Sequence, residues 1–498
     1  MEDSNNQHNE PARRSEQDVQ PEKKESQADI LIRLASEITL LRDELNEAYA
    51  AIRINEHQEI HKVSGIDFER WLTMKFFLET GKAPFSEAMK QVIRLLETKA
   101  VFEGKQYTLG YRVTEQDGIF YYDLGNELWQ AVSVRPKKVV IVEESPILFY
   151  RVPNMRPQTY PSLNGEGKLS RIFKHVRISK KLDQLLFMIY LVTCLIPNIP
   201  HPALIISGEK GAAKTTTARM VRSLIDPAAM DVMFPPSSLP DLTLSLSKNY
   251  MLCLDNLESL KPKISDLLCT AVTGGGISKR KLFTDGEEVF LSFKRCLVLN
   301  GISMVANRPD LLDRSIILDL DRIGEKDRKE ERTIWNEFNE DKPQMIGAAF
   351  HLLSKAMAIY PQVELAELFR MADFTRWGYA IAEASGIGGD KFLEAYKANM
   401  ARSNMEAIEA HPVGSAIAAL MSGKPNWRGS VASLRKELEL VAFNRGINTL
   451  SNLWPKGDHV LSMRLKEVKS NLEQVGIHYG IRNGGTAKFV EITNKIVQ

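Results

Sequence analysis

The spacing of apolar and polar positions changes several times along the chain, and each change predicts a different kind of structure. Residues 1–27 carry almost no large apolar side chains and are rich in Glu, Gln, Asn, Ser and Lys. They cannot bury enough surface to offset chain entropy, and read as a disordered tail. From there Leu31, Leu34, Ile38, Leu41, Leu45, Ala48 and Ile52 follow at alternating steps of three and four. Over 28–60 that spacing predicts either a short coiled coil or a single amphipathic helix docked on its own domain.

Helical spacing returns between Phe68 and Leu96, then gives way from Tyr107 to Arg151 to short β-type runs, with Asp117-Gly118 as a hairpin turn before Ile119–Leu124. Residues 66–175 therefore read as a small α+β domain whose tyrosines belong to its core or an interface rather than to a stacking platform for bases. Leu182–Ile196 is apolar enough for a buried helix. The runs Ala203–Ser207, Val232–Phe234, Met251–Leu254, Cys296–Leu299 and Ile316–Leu320 predict five strands separated by helical segments. That alternation across 176–325 is the pattern of a parallel sheet covered on both faces.

Residues 326–410 are helical in pattern, with breaks at Lys342-Pro343, Tyr360-Pro361 and Gly386–Gly389, and read as a helical lid. Residues 411–498 run as three helices followed by Ile477–Ile481, a Gly484-Gly485 turn and Lys488–Ile492, the order of a winged helix. From Ala401 onward there are 13 Lys plus Arg against 8 Asp plus Glu, and Arg464, Lys466 and Lys469 on one predicted helix suit phosphate contacts.

Composition narrows this picture. The 65 Lys plus Arg nearly balance the 63 Asp plus Glu, so any nucleic-acid surface must be local. Cys194, Cys253, Cys269 and Cys296 are dispersed, mostly within apolar runs, which excludes a C-x-x-C zinc site and points to a reducing compartment. The most apolar stretch, Leu185–Ile196, is shorter than the roughly 20 residues a membrane span needs. With an acidic, polar N-terminus lacking signal-peptide order, the expectation is a soluble cytoplasmic protein.

The chemistry concentrates between Ala203 and Thr217. Gly208-Glu209-Lys210-Gly211-Ala212-Ala213-Lys214-Thr215-Thr216 follows an apolar strand and opens a helix, the context of a phosphate-binding loop. The glycines let backbone N–H groups curl round a phosphate, and the helix points its positive end at the same place. Lys214 would neutralise β- and γ-phosphates while Thr215 offers a hydroxyl to Mg2+. Ala213 stands where the last glycine of the pattern belongs, tolerable if its φ is negative.

Further candidates fall at the ends of the other strands, beyond the carboxyl edge. Asp255 follows Met251–Leu254 and would hold Mg2+ directly or through water. Asn256 sits beside it, and Glu258 is the nearest carboxylate for polarising water, or else a capping or surface residue. Asn300 could orient water against a γ-phosphate, or could be a turn residue before Gly301. Lys279, Arg280 and Lys281 lie on one arm of a hairpin turned by Asp285-Gly286. They suit nucleic-acid phosphates, although the acidic tip also fits a solvated, salt-bridged hairpin. Arg314 precedes the last strand, where it could project into a neighbouring subunit's nucleotide or pair with Asp310 or Asp313. Arg376 is a second sensor or an ordinary surface arginine.

With these residues in view, the chain resembles the AAA+ ATPases of phage and mobile-element primase-helicases, relatives of superfamily 3 helicases, over roughly 105–495. The resemblance is carried by Gly208–Thr216, Leu254-Asp255-Asn256, Thr273-Gly274-Gly275-Gly276 with Arg280-Lys281-Leu282 and Thr284-Asp285, Leu299-Asn300-Gly301, and Arg308-Pro309-Asp310-Leu311-Leu312-Asp313-Arg314. It implies a P-loop AAA+ core and a ring, commonly a hexamer, that hydrolyses ATP with Mg2+ at subunit interfaces and moves along DNA during replication, in a bacterial or phage-infected cell. The family carries Asp-Asn in its second motif, so Asn256 fits. Residues 1–200 lack a clustered acidic metal triad, so a separate primase would supply any priming. The other reading is an ATP-dependent switch or loader that binds protein partners without unwinding DNA.

Overall fold

The computed structural model describes residues 25–54, 57–257, 260–280, 288–301, 309–484 and 487–495. The chain divides into two units, one of 1–52 with 61–107 and another of 53–60 with 108–498. Most of the expected tail, the Glu258 and Lys281 positions, the Asp285-Gly286 turn and Gly485 of the Gly484-Gly485 turn lie outside the described residues.

In the first unit, helix α1 (Gln27–Leu34) starts at a capping box in which Ser26 and Asp29 exchange side-chain and backbone hydrogen bonds. The heptad expectation ends there. Strands β1 (Thr39–Arg42), β2 (Ala48–Ile54) and β3 (His57–Lys62) occupy the rest of 28–60, with residues 53–60 of β2 and β3 grouped in the second unit, and are followed by helices α2 (Ile66–Thr80) and α3 (Ser86–Phe102) and strand β4 (Lys105–Gln106). The sheet order is β3-β2-β1-β4. Asp43 Oδ1 accepts the N–H groups of Leu45 and Glu47, each at 2.9 Å, and Asn46 adopts φ 59°. This Asx turn folds β1 onto β2, and the alternating three-four spacing is divided between a helix, a turn and two strands.

The second unit begins with an antiparallel meander of β5 (Val113–Gln116), β6 (Ile119–Asp123), β7 (Ala131–Arg135) and β8 (Lys138–Val142). Asp117 and Gly118, both at positive φ, close the first hairpin as their sequence predicts. The single α+β domain expected over 66–175 is not formed. Val113, Phe120, Tyr122, Val132 and Val134 instead join the large hydrophobic core of the second unit.

That core is built on four parallel strands: β9 (Ala203–Gly208), β10 (Met251–Leu254), β13 (Cys296–Asn300) and β14 (Ser315–Leu320), in the order β10-β13-β9-β14. Between β10 and β13 lies the antiparallel pair β11 (Gly275–Arg280) and β12 (Glu288–Phe293). Alternate residues of the parallel strands feed opposite faces. Leu204, Ile206, Cys253, Val298 and Leu318 enter one core; Ala203, Ile205, Leu252, Leu299 and Ile317 enter the other. The fifth expected strand is reduced to one bridge between Met233 and Leu254, since Pro235 and Pro236 follow and have no N–H to extend a ladder.

Helix α4 (Lys181–Thr193) is buried as expected, α5 (Lys214–Ile225) follows the glycine-bearing loop, and α6 (Leu239–Ser247), α7 (Pro262–Thr273) and the short α8 (Pro309–Leu312) complete the flanks. Helix α9 (Glu331–Ile359) runs straight through the break expected at Pro343. The Pro343 carbonyl accepts the Ser162 N–H at 2.9 Å. One turn on, a Cβ at Gly347 would come within 2.0 Å of the Ser162 carbonyl, so a passing strand of chain holds the helix there. With α10 (Ala372–Ala384) and α11 (Gly389–Ala410), α9 shares the main core through Phe338, Phe350, Phe374, Trp377 and Tyr396. The segment read as a lid is thus packed as part of the core.

Residues 411–498 have their own core, formed by α12 (Pro412–Met421), β15 (Asn426–Ser430), α13 (Val431–Arg445), α14 (Asp458–Glu467), α15 (Lys469–Gln474), β16 (Ile477–Gly484) and β17 (Ala487–Asn494). Helices precede a hairpin as expected, but an added strand gives the sheet order β15-β17-β16, and the last helix is interrupted at Val468. Arg464 is paired with Glu467 at 2.8 Å and Lys469 with Glu473 at 3.6 Å.

Three layers meet at the C-terminal end of α5. Arg112, fully buried, donates to Asp226 at 2.9 Å and to the carbonyls of Asp123, Arg156 and Pro227. Tyr122 donates to Ile225 O, and Gln158 to Leu224 O, both at 2.9 Å. From α9, Lys342 donates to Ser223 Oγ at 3.0 Å. Burial, followed by the charge of Arg112, lowers the Lys342 ammonium to about 8.

Because that value lies below the unfolded lysine range near 10.4, the unfolded chain binds more protons between about pH 8 and 10.4, and this group makes the fold more stable as pH rises through that window. Below pH 8 both states are protonated and the slope vanishes. Lys342→Met should remove a rise on the order of 2 kcal/mol between pH 8 and 10. Urea midpoints of the two proteins across that range check it; parallel pH profiles would show that the ammonium is not strained by burial.

Candidate functional site

Strand β9 delivers the loop Gly208–Ala213 to the carboxyl edge of the sheet, and each unusual residue there has a steric reason. Gly208 sits at φ 141°, and a Cβ on it would stand 2.8 Å from the Leu320 carbonyl oxygen of the neighbouring strand. Gly211 lies at φ 85°. Ala213, the N-cap of α5, adopts φ 56° and ψ 35°. The condition under which a methyl is tolerable there, a negative φ, is not met: alanine occupies a left-handed position that favours glycine.

Lys214 opens the helix, and its Nζ donates to the carbonyls of Gly208 at 2.8 Å and Glu209 at 2.9 Å. The N–H groups of Lys214, Thr215 and Thr216 lie in the first turn, where a helix has amides without intrahelical partners and the positive end of its dipole. Thr215 Oγ1 donates to Asp255 Oδ1 at 3.2 Å, across from the end of β10. Asn300, ending β13 between them, is 3% exposed and directs its Nδ2 to Thr215 Oγ1 at 3.3 Å and to Asp255 Oδ1. Its Oδ1 has no hydrogen-bond partner among the described residues. The neighbouring carboxylate requires the amide nitrogen on that side, which fixes the flip of the Asn300 side chain.

Asp255 is positioned by its own backbone: its N–H donates to Met233 O at 2.9 Å, and the N–H of Asn256 returns to Asp255 Oδ1 at 2.9 Å. Asn256 takes φ 56°, a conformation asparagine tolerates better than most residues. The Leu257 N–H bonds to Asn300 O at 2.8 Å, tying the two strand ends together.

These groups line one cleft of about 530 Å3, bounded by Gly211–Thr216, Phe234, Asp255, Asn256, Asn300 and Gly301. The structure thus brings together Gly211, Ala212, Ala213, Lys214, Thr215, Thr216, Asp255, Asn256 and Asn300. Phe234, 76% exposed at the cleft, was not singled out by its sequence. The signal was available in Phe234-Pro235-Pro236, a large apolar residue ahead of two prolines that stop a strand.

Other candidates lie apart from the cleft. Glu209 and Lys210 belong to the loop but do not line it. Arg314 stands before β14, at the amino end of the sheet, and pairs with Asp310. Arg376 lies over the Tyr360 ring at 4.5 Å. Lys279 and Arg280 are on β11, paired in register with Val289 and Glu288. Among the described residues no group of three or more His, Cys, Asp and Glu is arranged to hold a metal. Thr215 and Asp255 nevertheless present hard oxygen donors 3.2 Å apart, which fits a Mg2+ ion held mostly by phosphate and water.

A left-handed alanine costs about 1–2 kcal/mol against a relaxed backbone, partly offset by glycine's greater freedom in the unfolded chain. Ala213→Gly should therefore stabilise the protein by up to about 1 kcal/mol. A urea midpoint below that of the unaltered protein would show that Ala213 is not strained.

Residues 170–405 match the family described as the actinomycete integrative conjugative element replication protein, and residues 413–497 match the AICE RepA C-terminal domain. No curated protein matches the chain. Solved structures that resemble it include an A-form apo structure of the NrS-1 C-terminal region, at 12% identity and TM-score 0.39 over 94% of this chain and 98% of that one. Another apo structure of that region gives 11% and 0.37 over 95% and 100%. JCV helicase with a bound small molecule gives 16% and 0.21 over 46% and 67%. The two matches adjoin along the sequence, so residues 170–405 and 413–497 are similar to the replication proteins of actinomycete integrative conjugative elements.

Proposed function

We propose that the chain is an ATP-dependent DNA helicase or translocase for replication of such an element, a P-loop AAA+ ATPase that hydrolyses ATP between the subunits of a ring, commonly a hexamer. The observation that carries this reading is the convergence of Lys214, Thr215, Asp255 and Asn300 on one cleft at the carboxyl edge of a parallel sheet, where ligands of open α/β sheets bind.

In this reading Lys214 exchanges its two loop carbonyls for β- and γ-phosphate oxygens, while the first-turn amides of α5 receive the same phosphates. Thr215 and Asp255 would hold Mg2+, which supplies charge neutralisation between the β- and γ-phosphates when bound. Asn300 and Asn256 orient the polar side of the cleft where water attacks. Arg314 is too far from its own cleft to act there, and serves the neighbouring subunit. Lys279, Arg280 and Lys281 contact DNA, aided by a winged-helix-like end, and a separate replication protein supplies priming in the cytoplasm of the host.

Unwinding of a forked duplex with ATP is the decisive measurement. DNA-independent turnover without unwinding would favour the switch or loader. Lys214→Ala should abolish ATP turnover with an unchanged melting curve, because among the described residues the side chain bonds only to loop carbonyls; turnover at the unaltered rate would sink the site assignment.

Reversing Lys279, Arg280 and Lys281 to Glu should lower DNA-stimulated ATPase more than basal ATPase, and flatten the salt dependence of DNA binding by about one unit per lost phosphate contact. Unchanged affinity and slope would leave the hairpin a solvated one.

A further inference from the structure

Two arginines, not one, converge on the surface at the amino end of the parallel sheet. Arg314 Nη1 and Arg370 Nη2 both reach Asp310 Oδ1, the second at 2.8 Å, and Arg370 also pairs with Asp313. Asp310 is 53% exposed at its side chain and Arg370 39%, while Arg314 is 19% exposed. Nothing in Glu367-Leu368-Phe369-Arg370-Met371 marks Arg370 in the sequence; only the fold places it here.

Neither arginine can serve its own cleft. Ser315 pairs with Ala203 and Leu320 with Gly208, so Arg314 stands six residues before the level of the loop, roughly 20 Å at about 3.3 Å per strand residue. Both side chains nevertheless rise from fixed backbone. The Arg314 carbonyl accepts the Ala203 N–H at 2.9 Å, and Leu311 and Leu312 beside it are buried. Arg370 lies between Phe369, packed edge-on against Tyr396 at 5.3 Å, and the buried Met371.

We propose that Arg370 acts beside Arg314 at the ATP site of a neighbouring copy of this chain, each subunit presenting two guanidinium groups held ready by Asp310. The inference rests on the reading that Arg314 acts in trans. Two forks converging on one carboxylate oxygen are spaced for the adjacent oxygens of a phosphoryl group, which arginine binds through paired charge-assisted hydrogen bonds. Asp310 and Arg370 are the more exposed members of this cluster, and Arg314 and Asp313 the less exposed; a triphosphate that takes the place of the carboxylates leaves both guanidinium groups paired, and ion pairs that reach solvent contribute little to stability. Asp310 is itself charged at neutral pH: burial raises its carboxyl, but Arg314 and then Arg370 outweigh it and hold it below the usual range.

Arg370→Ala should assemble as the unaltered protein does and bind ATP, yet lose turnover by about 10²-fold, the scale of removing one preorganised donor from a transition state. Subunits mixed before assembly separate the possibilities. Arg370→Ala with Lys214→Ala should recover part of the activity, since some interfaces then combine an intact loop with intact arginines. Arg370→Ala with Arg314→Ala should recover none, because both defects fall on the same side of the interface. Asp313→Asn removes the pairing of Arg370 but keeps its charge, and should turn over normally. A staple role for Arg370 would instead make Asp313→Asn as slow as Arg370→Ala, and overturn the proposal.

Recovery on mixing Arg370→Ala with Arg314→Ala would overturn it equally, as would full turnover by Arg370→Ala rings. If Arg370→Ala does not assemble, Arg370→Gln takes its place in the same mixtures. The control pair Arg314→Ala with Lys214→Ala tests the underlying reading by itself. No recovery there removes the trans role of Arg314, whereas recovery there with normal turnover by Arg370→Ala removes only the role of Arg370.

Discussion

The fully buried ion pair between Arg112 and Asp226 is the contact on which the second unit depends. Asp226 caps the end of α5, accepts the Met251 N–H at 3.0 Å and also pairs with Arg222 at 3.2 Å. Burial alone would favour a protonated carboxyl, but Arg222 and Arg112 outweigh it and keep Asp226 charged. A buried pair of this kind adds little net stability when intact. Losing one partner strands the other charge in a medium of low dielectric, at a cost of about 3–5 kcal/mol. Its value is therefore in specifying one arrangement: the meander can dock only where Arg112 meets both Asp226 and the surrounding carbonyls.

That docking fixes the helix that carries the candidate site. Carbonyls at the C-terminal end of α5 would be orphans, and Tyr122 and Gln158 from the preceding segment satisfy those of Ile225 and Leu224. Lys214 begins the same helix. Its placement against β10 and β13 is thus set from both ends, by the loop leaving β9 and by the network at Asp226. Inserting β13 between β9 and β10 then puts Asn300 between Thr215 and Asp255. The three polar side chains bridge strand ends that are far apart in sequence, and no one of them can shift without disturbing the others.

The two edges of the sheet have different chemistry. Its carboxyl edge gathers an ammonium, amides, a hydroxyl and a carboxylate in a concave cleft. Its amino edge presents guanidinium groups neutralised by carboxylates on a partly exposed surface. A head-to-tail contact between copies would set one against the other, and such a heterologous contact closes into a ring when its rotation permits. The same strand direction that makes the cleft puts Arg314 out of its reach.

The sequence by itself determined the elements whose chemistry is local. Gly208 and Gly211 announce a loop, Lys214 and Thr215 its helix, Asp255 and Asn300 the ends of apolar runs, and Asp117-Gly118 a hairpin, because each depends on residue type at short range. Tertiary structure decided what depends on partners distant in the chain. The heptad spacing from Leu31 suited a helix as well as strands, and the Asp43 turn resolved it. Pro343 looked like a helix break, yet contacts with the Ser162 segment keep α9 whole. Ala213 is held at positive φ by the loop geometry that starts α5, which residue type alone would argue against. Arg370 acquires its neighbours only when α8 and the approach to α10 are packed together, since an ion pair across 60 residues of chain leaves no periodicity to read.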